Sequence, residues 1–552
     1  MNQESKNYQP KKQLKQTETR ICQNCGKEFT IEPEDFEFYE KIGVPAPTFC
    51  PECRLQRKMM FRNERKLYKR KCDLCGRDII SIYPQDTPFP VYCSKCWNSD
   101  KWDPTKYGRD YNFNKPFFEQ FKELIREVPR LNLVVYESVN SDYTNLAGQN
   151  KDCYLIVSSG YCEKCMYGYR YMNSNEILDS EDVQKSELCY QCFQSSKCYK
   201  CAFVSNCENC VNVYFSKNCS DCSNCFGCVN LKHKQYCIFN KQYSKEEYFE
   251  KLKEFNLGSY RKLMELRKKA EEFWLNFPVK YMHGRNNVNV SGDYIDNSKN
   301  VINSYYISNG EDLKLVIYAD KALRSLDSGY IDFSELCYES FSGDKDSRKY
   351  FTFACWGGSY NLRYCDTCKN SNNLFGCSNL SNKQYCILNK QYTKEEYEKL
   401  VPKIIEHMNK MPYISKIQNA KIKNQNHNSK LKTEEDSKPK EIVYRYGEFF
   451  PPELSPFAYN ETIAQEYFPL TKEEAIEKGY QWSDQPKNKY QPTIKAKDLP
   501  DNIKDVDDSI TQEIIECENH SQEKEGKGKC QGSGVYRILP QELEFYRRMN
   551  LP

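Results

Sequence analysis

Between residues 189 and 237, small and apolar residues fall at fixed places with polar residues between them. Cys192, Cys201, Cys210, Cys219, Cys228 and Cys237 stand nine apart. Cys189, Cys198, Cys207 and Cys225 run three residues earlier, with Ser216 in the gap. Asn206, Asn209, Asn212 and Asn218 supply turn formers. A short period of this kind predicts a β-solenoid, with one strand and one turn per nine-residue repeat and two repeats per coil. Elsewhere the spacing becomes helical. Residues 116–128 place Phe117, Phe121, Leu124, Ile125 and Val128 on one face, and this helix is expected to join the N-terminal modules to the first coil. Ser244-Lys-Glu-Glu247, Thr393-Lys-Glu-Glu396 and Thr471-Lys-Glu-Glu474 are capping boxes that start helices. The first is expected to run to residue 255, with another helix over 261–277 and a further one over 508–517.

The solenoid pattern is duplicated. Phe226-Gly-Cys228, Lys234-Gln-Tyr-Cys-Ile238 and Asn240-Lys-Gln-Tyr243 recur as Phe375-Gly-Cys377, Lys383-Gln-Tyr-Cys-Ile387 and Asn389-Lys-Gln-Tyr392, an offset of 149. Upstream, Ser186-Glu-Leu-Cys-Tyr190 recurs as Ser334-Glu-Leu-Cys-Tyr338 at offset 148. At offset 149 Cys192, Cys201 and Cys210 meet Phe341, Tyr350 and Ser359. Metal ligands do not exchange for aromatics, whereas buried wall positions do, so the solenoid cysteines read as reduced core thiols. Cys219, Cys222, Cys225 and Cys228 keep a metal-binding or thiol-redox alternative.

The chain has 552 residues and 30 cysteines, and its net charge is only +4. Residues 1–20 are polar and charged, with no apolar export segment, and no apolar run is long enough to span a bilayer. A cytoplasmic chain is therefore expected, with reduced thiols and no membrane partner. The near-balanced charge means that any nucleic-acid contact must come from local clustering.

Four CxxC pairs lie near the N-terminus: Cys22/Cys25, Cys50/Cys53, Cys72/Cys75 and Cys93/Cys96. Two such knuckles supply tetrahedral all-sulfur coordination. Gly26 and Gly76 follow their pairs, where a left-handed residue is often required. Sequential pairing fits the spacings best, and interleaving stays open. Two structural Zn2+ ions are expected. Cys22-Gln-Asn-Cys25-Gly26-Lys-Glu-Phe29, Phe38-Tyr39 and Cys50-Pro-Glu-Cys53-Arg54 resemble the small bacterial treble-clef zinc-ribbon family. The chain as a whole resembles large bacterial proteins that carry such ribbons and bring no established activity. The resemblance implies that Cys50 and Cys53 sit at the start of a helix over 54–63. Arg54, Arg57, Lys58, Arg62, Arg65, Lys66, Lys69, Arg70 and Lys71 crowd this stretch with one acid, Glu64, which suggests phosphate contact.

The last residues echo the first ribbon. Ile538-Leu-Pro-Gln-Glu-Leu-Glu-Phe-Tyr546 parallels Ile31-Glu-Pro-Glu-Asp-Phe-Glu-Phe-Tyr39 at offset 507. Cys517, His520 and Cys530 could be first-half ligands of a third ribbon whose second knuckle the sequence lacks. A multidomain, mostly β chain follows from these patterns. Its parts are a tail (1–20), ribbon 1 (21–70), ribbon 2 (71–110), a helix with solenoid copy 1 and terminal helices (111–275), and solenoid copy 2 with a terminal helix (278–411). A linker (412–440) and an aromatic-rich C-terminal region (441–552) complete it. The function expected is a zinc-binding, non-enzymatic scaffold. Its partners would be nucleic acid or ribonucleoprotein at the basic helix and protein on the solenoid. A carbohydrate-active solenoid enzyme using Glu311/Asp312 or Asp327/Asp332 is the remaining alternative.

Overall fold

The computed structural model describes residues 16–417, 440–484, 490–521 and 532–552. Both solenoid copies are present, but the coil differs from the expected one. Strands pair in parallel with residues 12 further on, as in Met166↔Leu178, Glu187↔Tyr199 and Ser223↔Gln235. The coil therefore holds 12 residues, not two nine-residue repeats. Backbone conformation explains the period. From Glu137 onward nearly every third residue is left-handed, including Asn206, Asn209, Asn212 and Asn218. The residue after each of these points inward, so one coil presents four inward side chains (12/3). The nine-residue cysteine spacing is three such steps, which stops one side short of a full coil.

Four side chains meet near the axis. Cys, Ser, Ala and Val share the inside with Ile and Leu, such as Ile177, Leu313 and Leu374, and a hydroxyl or thiol there still hydrogen-bonds. The Cys198 thiol donates to the Ser196 carbonyl at 3.4 Å, and the Cys198 amide donates to Ser186 Oγ at 3.0 Å. Left-handed residues carry the outer ladders. Asn212 donates to Asn224 at 3.2 Å and Asn218 to Asn230 at 3.2 Å. In the second copy Tyr294, Tyr306, Tyr318 and Tyr330 stack with centroids 4.9, 4.5 and 4.8 Å apart. The slip from offset 148 to 149 has a location: around Gly357 and Gly358 the pairing becomes Ser347↔Tyr360 and Lys349↔Leu362, one residue longer than a coil.

The chain forms two compact units that interleave in sequence, rather than modules in chain order. The first joins residues 1–132 to 281–483. In it the helix Phe117–Glu127 packs on the second solenoid copy. Phe117 lies 5.2 Å from Tyr364 and 5.4 Å from Phe375, and Phe121 stacks on Phe450 at 5.1 Å. Part of the expected linker is ordered. Tyr413–Ile417 pairs antiparallel with Lys440–Tyr444, and residues 418–439 lie outside the described residues. Lys394–Lys410 and Lys472–Glu477 start at their capping boxes.

The second unit joins residues 133–280 to 484–552. Its longer helices are Lys245–Glu254, Tyr260–Trp274 and Pro540–Met549. The helix expected over 508–517 is instead a short 3-10 turn, Asp508–Gln512, followed by a strand, Ile515–Glu516. The Asp507 side chain caps the turn by accepting the Ser509 amide at 2.7 Å, and Ile510 and Ile515 enter the core of this unit. Cys530 and the His520 side chain lie outside the described residues.

Candidate metal centres and the basic helix beside them

Each ribbon starts as a hairpin with its first CxxC at the tip. Glu18–Ile21 pairs with Glu28–Ile31, and Tyr68–Lys71 pairs with Asp78–Ser81. The turn between strands closes identically in both. The Cys22 amide donates to Lys27 and the Gly26 amide to Cys22, each at 2.9 Å; the Cys72 amide donates to Arg77 and the Gly76 amide to Cys72, each at 2.8 Å. Gly26 and Gly76 have φ of 74° and 73°, a conformation glycine adopts without steric cost. The second pair of each module begins a helix. Cys50 caps Pro51–Met59 and Cys93 caps Ser94–Trp97. The first helix ends short of residue 63.

These elements bring Cys22, Cys25, Cys50 and Cys53 together, and separately Cys72, Cys75, Cys93 and Cys96, with all sulfurs of a set within 4.8 Å. The pairing is thus sequential. Cys25 and Cys50 sulfurs are 3.7 Å apart and Cys75 and Cys93 sulfurs 3.9 Å. N–H groups face the sulfurs: Asn24 Nδ2 reaches Cys53 Sγ and the Cys93 amide reaches Cys72 Sγ, both at 3.3 Å. Hydrogen bonding from the Cys53 thiol outweighs burial and holds the Cys50 thiol down at about 5. The Arg77 backbone leads the groups that hold Cys75 at about 6. Among the described residues these are the groups of three or more His, Cys, Asp or Glu placed to hold a metal ion. The solenoid cysteines, Cys219, Cys222, Cys225 and Cys228 included, are buried. Their thiols donate to carbonyls, as Cys222 does to Ser220 at 3.2 Å.

The basic residues do not form one outward face. Arg54, Arg57, Lys58, Arg62 and Arg70 are buried, while Arg65, Lys69 and Lys71 are exposed and Lys66 is half-buried. Within the first unit, Arg54 bonds Asp327 and donates to the Phe49 carbonyl at 2.6 Å. Lys58 meets the other Asp327 oxygen at 2.6 Å. Arg57 reaches Glu339 at 3.0 Å and Glu448 at 3.4 Å, with its guanidinium 4.1 Å from the centre of the Phe49 ring. Three cations therefore face three carboxylates. The pairing with Arg54 and Lys58 outweighs burial and keeps the Asp327 carboxyl below its usual range. Arg62 pairs with Glu64 at 2.5 Å and covers the Tyr330 ring at 4.0 Å. Arg70 donates to Asp73 at 2.7 Å and to the Pro84 carbonyl at 2.6 Å. Arg65 lies 3.7 Å from Glu466, and Lys71 lies 3.0 Å from Asp78.

Asp327, Glu339 and Glu448 are the acids that sequence reasoning did not connect to this helix. A 12-residue period was the available signal, because it puts Asp327 and Glu339 on one outer ladder, one coil apart. The other nominated carboxylates serve the ladders as well. Glu311 faces Lys299 at 3.4 Å, Asp312 accepts from Asn300 at 2.9 Å, and Asp332 accepts the Asp320 amide at 2.9 Å.

No protein-family model matches the chain, and no curated protein matches it. Among solved structures, one similar over part of its length is described provisionally as an acetyltransferase from Desulfovibrio desulfuricans G20. The identity is 8% and the TM-score 0.11, and the match covers 41% of this chain and 64% of that one. A likeness that slight carries no argument about fold or activity. What the chain does must be read from its two four-cysteine centres and the ion-paired helix that one of them anchors.

Proposed function

We propose that the chain is a zinc-dependent, non-enzymatic binding scaffold of the cytoplasm, in which zinc holds the two ribbons folded. The spacing of the thiols carries this reading. A tetrahedron with Zn–S bonds of about 2.3 Å has sulfur–sulfur edges of about 3.8 Å, and the two measured edges are 3.7 and 3.9 Å. Four protein ligands close each site, which suits a structural ion better than a catalytic one. The thiols must be deprotonated to bind; Cys50 and Cys75 lie low, while Cys25, Cys53 and Cys96 are raised.

A protein partner is favoured over nucleic acid, because buried acids already neutralise Arg54, Arg57 and Lys58. The nucleic-acid reading retains Arg65, Lys66, Lys69 and Lys71 as its surface. The test is elemental analysis of protein purified under reducing conditions. Two zinc ions per chain are expected, with one lost in Cys22→Ser/Cys25→Ser and the other in Cys72→Ser/Cys75→Ser. No zinc, or zinc that survives both pairs of substitutions, would defeat the proposal.

A further inference from the structure

The two units repeat one local design. In the first, the helix Pro33–Ile42 sets Phe38 and Tyr39 against Tyr338, at 6.1 and 5.3 Å. In the second, Pro540–Met549 sets Phe545 and Tyr546 against Tyr190, at 6.3 and 5.7 Å. Tyr190 and Tyr338 correspond in the duplication, as do Tyr39 and Tyr546 in the terminal echo. Finer details agree. Asp35 caps its helix by accepting the Glu32 amide at 3.1 Å, and Glu542 accepts the Leu539 amide at 3.1 Å. Gly43 and Asn550 end their helices in the left-handed conformation. The hairpin also returns, since the Cys517 amide donates to the Gly534 carbonyl at 2.9 Å as Cys22 does to Lys27.

One part of the design differs. In the first unit the helix Pro51–Met59 covers Asp327, Tyr338 and Glu339, which are 2%, 0% and 0% exposed. Their counterparts in the second unit are Asp179, Tyr190 and Gln191. Asp179 is exposed, and Tyr190 and Gln191 are half-buried. Among the described residues Asp179 has Glu542 beside it and no cation. Burial, then Glu542, pushes its carboxyl up to about 6, whereas Asp327 with two cations is held low.

We infer that the face around Asp179 and Tyr190 is a docking site for a separate ribbon-type protein, which lays a CxxC-capped basic helix where Pro51–Met59 lies on the second solenoid copy. The chemistry of that helix follows from the differences. Asp327 is the acid shared by Arg54 and Lys58, and Asp179 keeps it. The partner therefore carries Arg directly after the second cysteine and Lys or Arg four residues later. Glu339, which receives Arg57, is replaced by Gln191, and Gln191 already accepts from Arg267 at 3.5 Å. The partner is therefore uncharged at the Arg57 place. This inference gives the scaffold reading its partner class and rests on that reading, yet its test does not depend on the zinc count.

The probe is a fluorescein-labelled synthetic peptide of residues 49–66 with Arg57→Gln and with Ser for both cysteines, titrated into the full chain and followed by anisotropy. Saturable binding is expected, weakened about tenfold or more by Asp179→Lys. The peptide that retains Arg57 should bind no better. Circular dichroism checks that the replacement leaves folding intact. Absence of binding, or binding indifferent to Asp179→Lys, overturns the inference. Self-association of the chain without peptide, lost in Asp179→Lys, would also overturn it by assigning the site to a second copy.

Discussion

Asp327 and Asp179 occupy one place in two copies of the same coil, and their surroundings give them opposite roles. Asp327 is buried between Arg54 and Lys58. Removing its charge leaves two cations buried without their partner, so Asp327→Asn should cost roughly 3–5 kcal/mol, read as a fall in the urea midpoint. Its depressed carboxyl contributes stability that is fully present above the unfolded value of about 3.9 and is lost as pH falls through the folded one. Asp179 has the opposite sign. Its carboxyl is raised to about 6, so the folded chain holds the proton more tightly than the unfolded one. Stability then declines as pH rises from about 4 to 6. Asp179→Asn should remove that decline, which melting temperatures of the two proteins across this window would show. Equal slopes in both proteins would refute the assignment.

The repeating element is a three-residue step of left-handed, inward and outward positions, and its side-chain requirements explain what sequence could and could not reveal. Cysteines nine apart are prominent because they sit on neighbouring sides of the coil. The true 12-residue ladder is disguised, because its rungs change type: Cys189, Cys201, Val213, Cys225 and Cys237 fill one column. Helix starts were legible, since a capping box is a local bargain between a hydroxyl and a carboxylate. The second copy shows how far the inner rule bends. At offset 148, Cys198 and Cys201 become Asp346 and Lys349, fully buried and 2.7 Å apart. Lys349 also donates to the Cys355 carbonyl at 2.6 Å, and Asp346 accepts the Ser359 amide at 2.8 Å. Lys349→Cys alone strands a buried carboxylate and should cost about 3–5 kcal/mol. Adding Asp346→Cys restores the pair of thiols that the first copy carries there, and should recover most of the loss. A double-mutant cycle on urea midpoints measures this coupling, and an additive result would refute it.

At the scale of the whole molecule, chain order and compact units disagree. The two four-cysteine clusters were readable because four sulfurs need only two short knuckles, each set by a few neighbouring residues. The burial of the basic helix was not, because its acids lie 269, 282 and 391 residues away. A run of cations looks the same whether solvent or carboxylates face it. The interleaving has a consequence for metal removal. Both four-cysteine sets belong to the first unit, and the helix that Cys50 caps supplies the cations for Asp327 and Glu339. Chelation frees those thiols and removes the constraint that starts the helix. The carboxylates on the second solenoid copy then lose their partners, so damage should spread from the ribbons into residues 281–483. The second unit holds its first-copy coil with buried cysteines whose thiols donate to carbonyls. Limited proteolysis after chelation under reducing conditions should therefore cut within residues 16–132 and 281–483 first, leaving residues 133–280 protected, as peptide mapping would report. Early cleavage within 133–280 would mean that metal supports the first copy as well. Full protection of 281–483 would mean that the ribbon helix keeps its ion pairs without its metal.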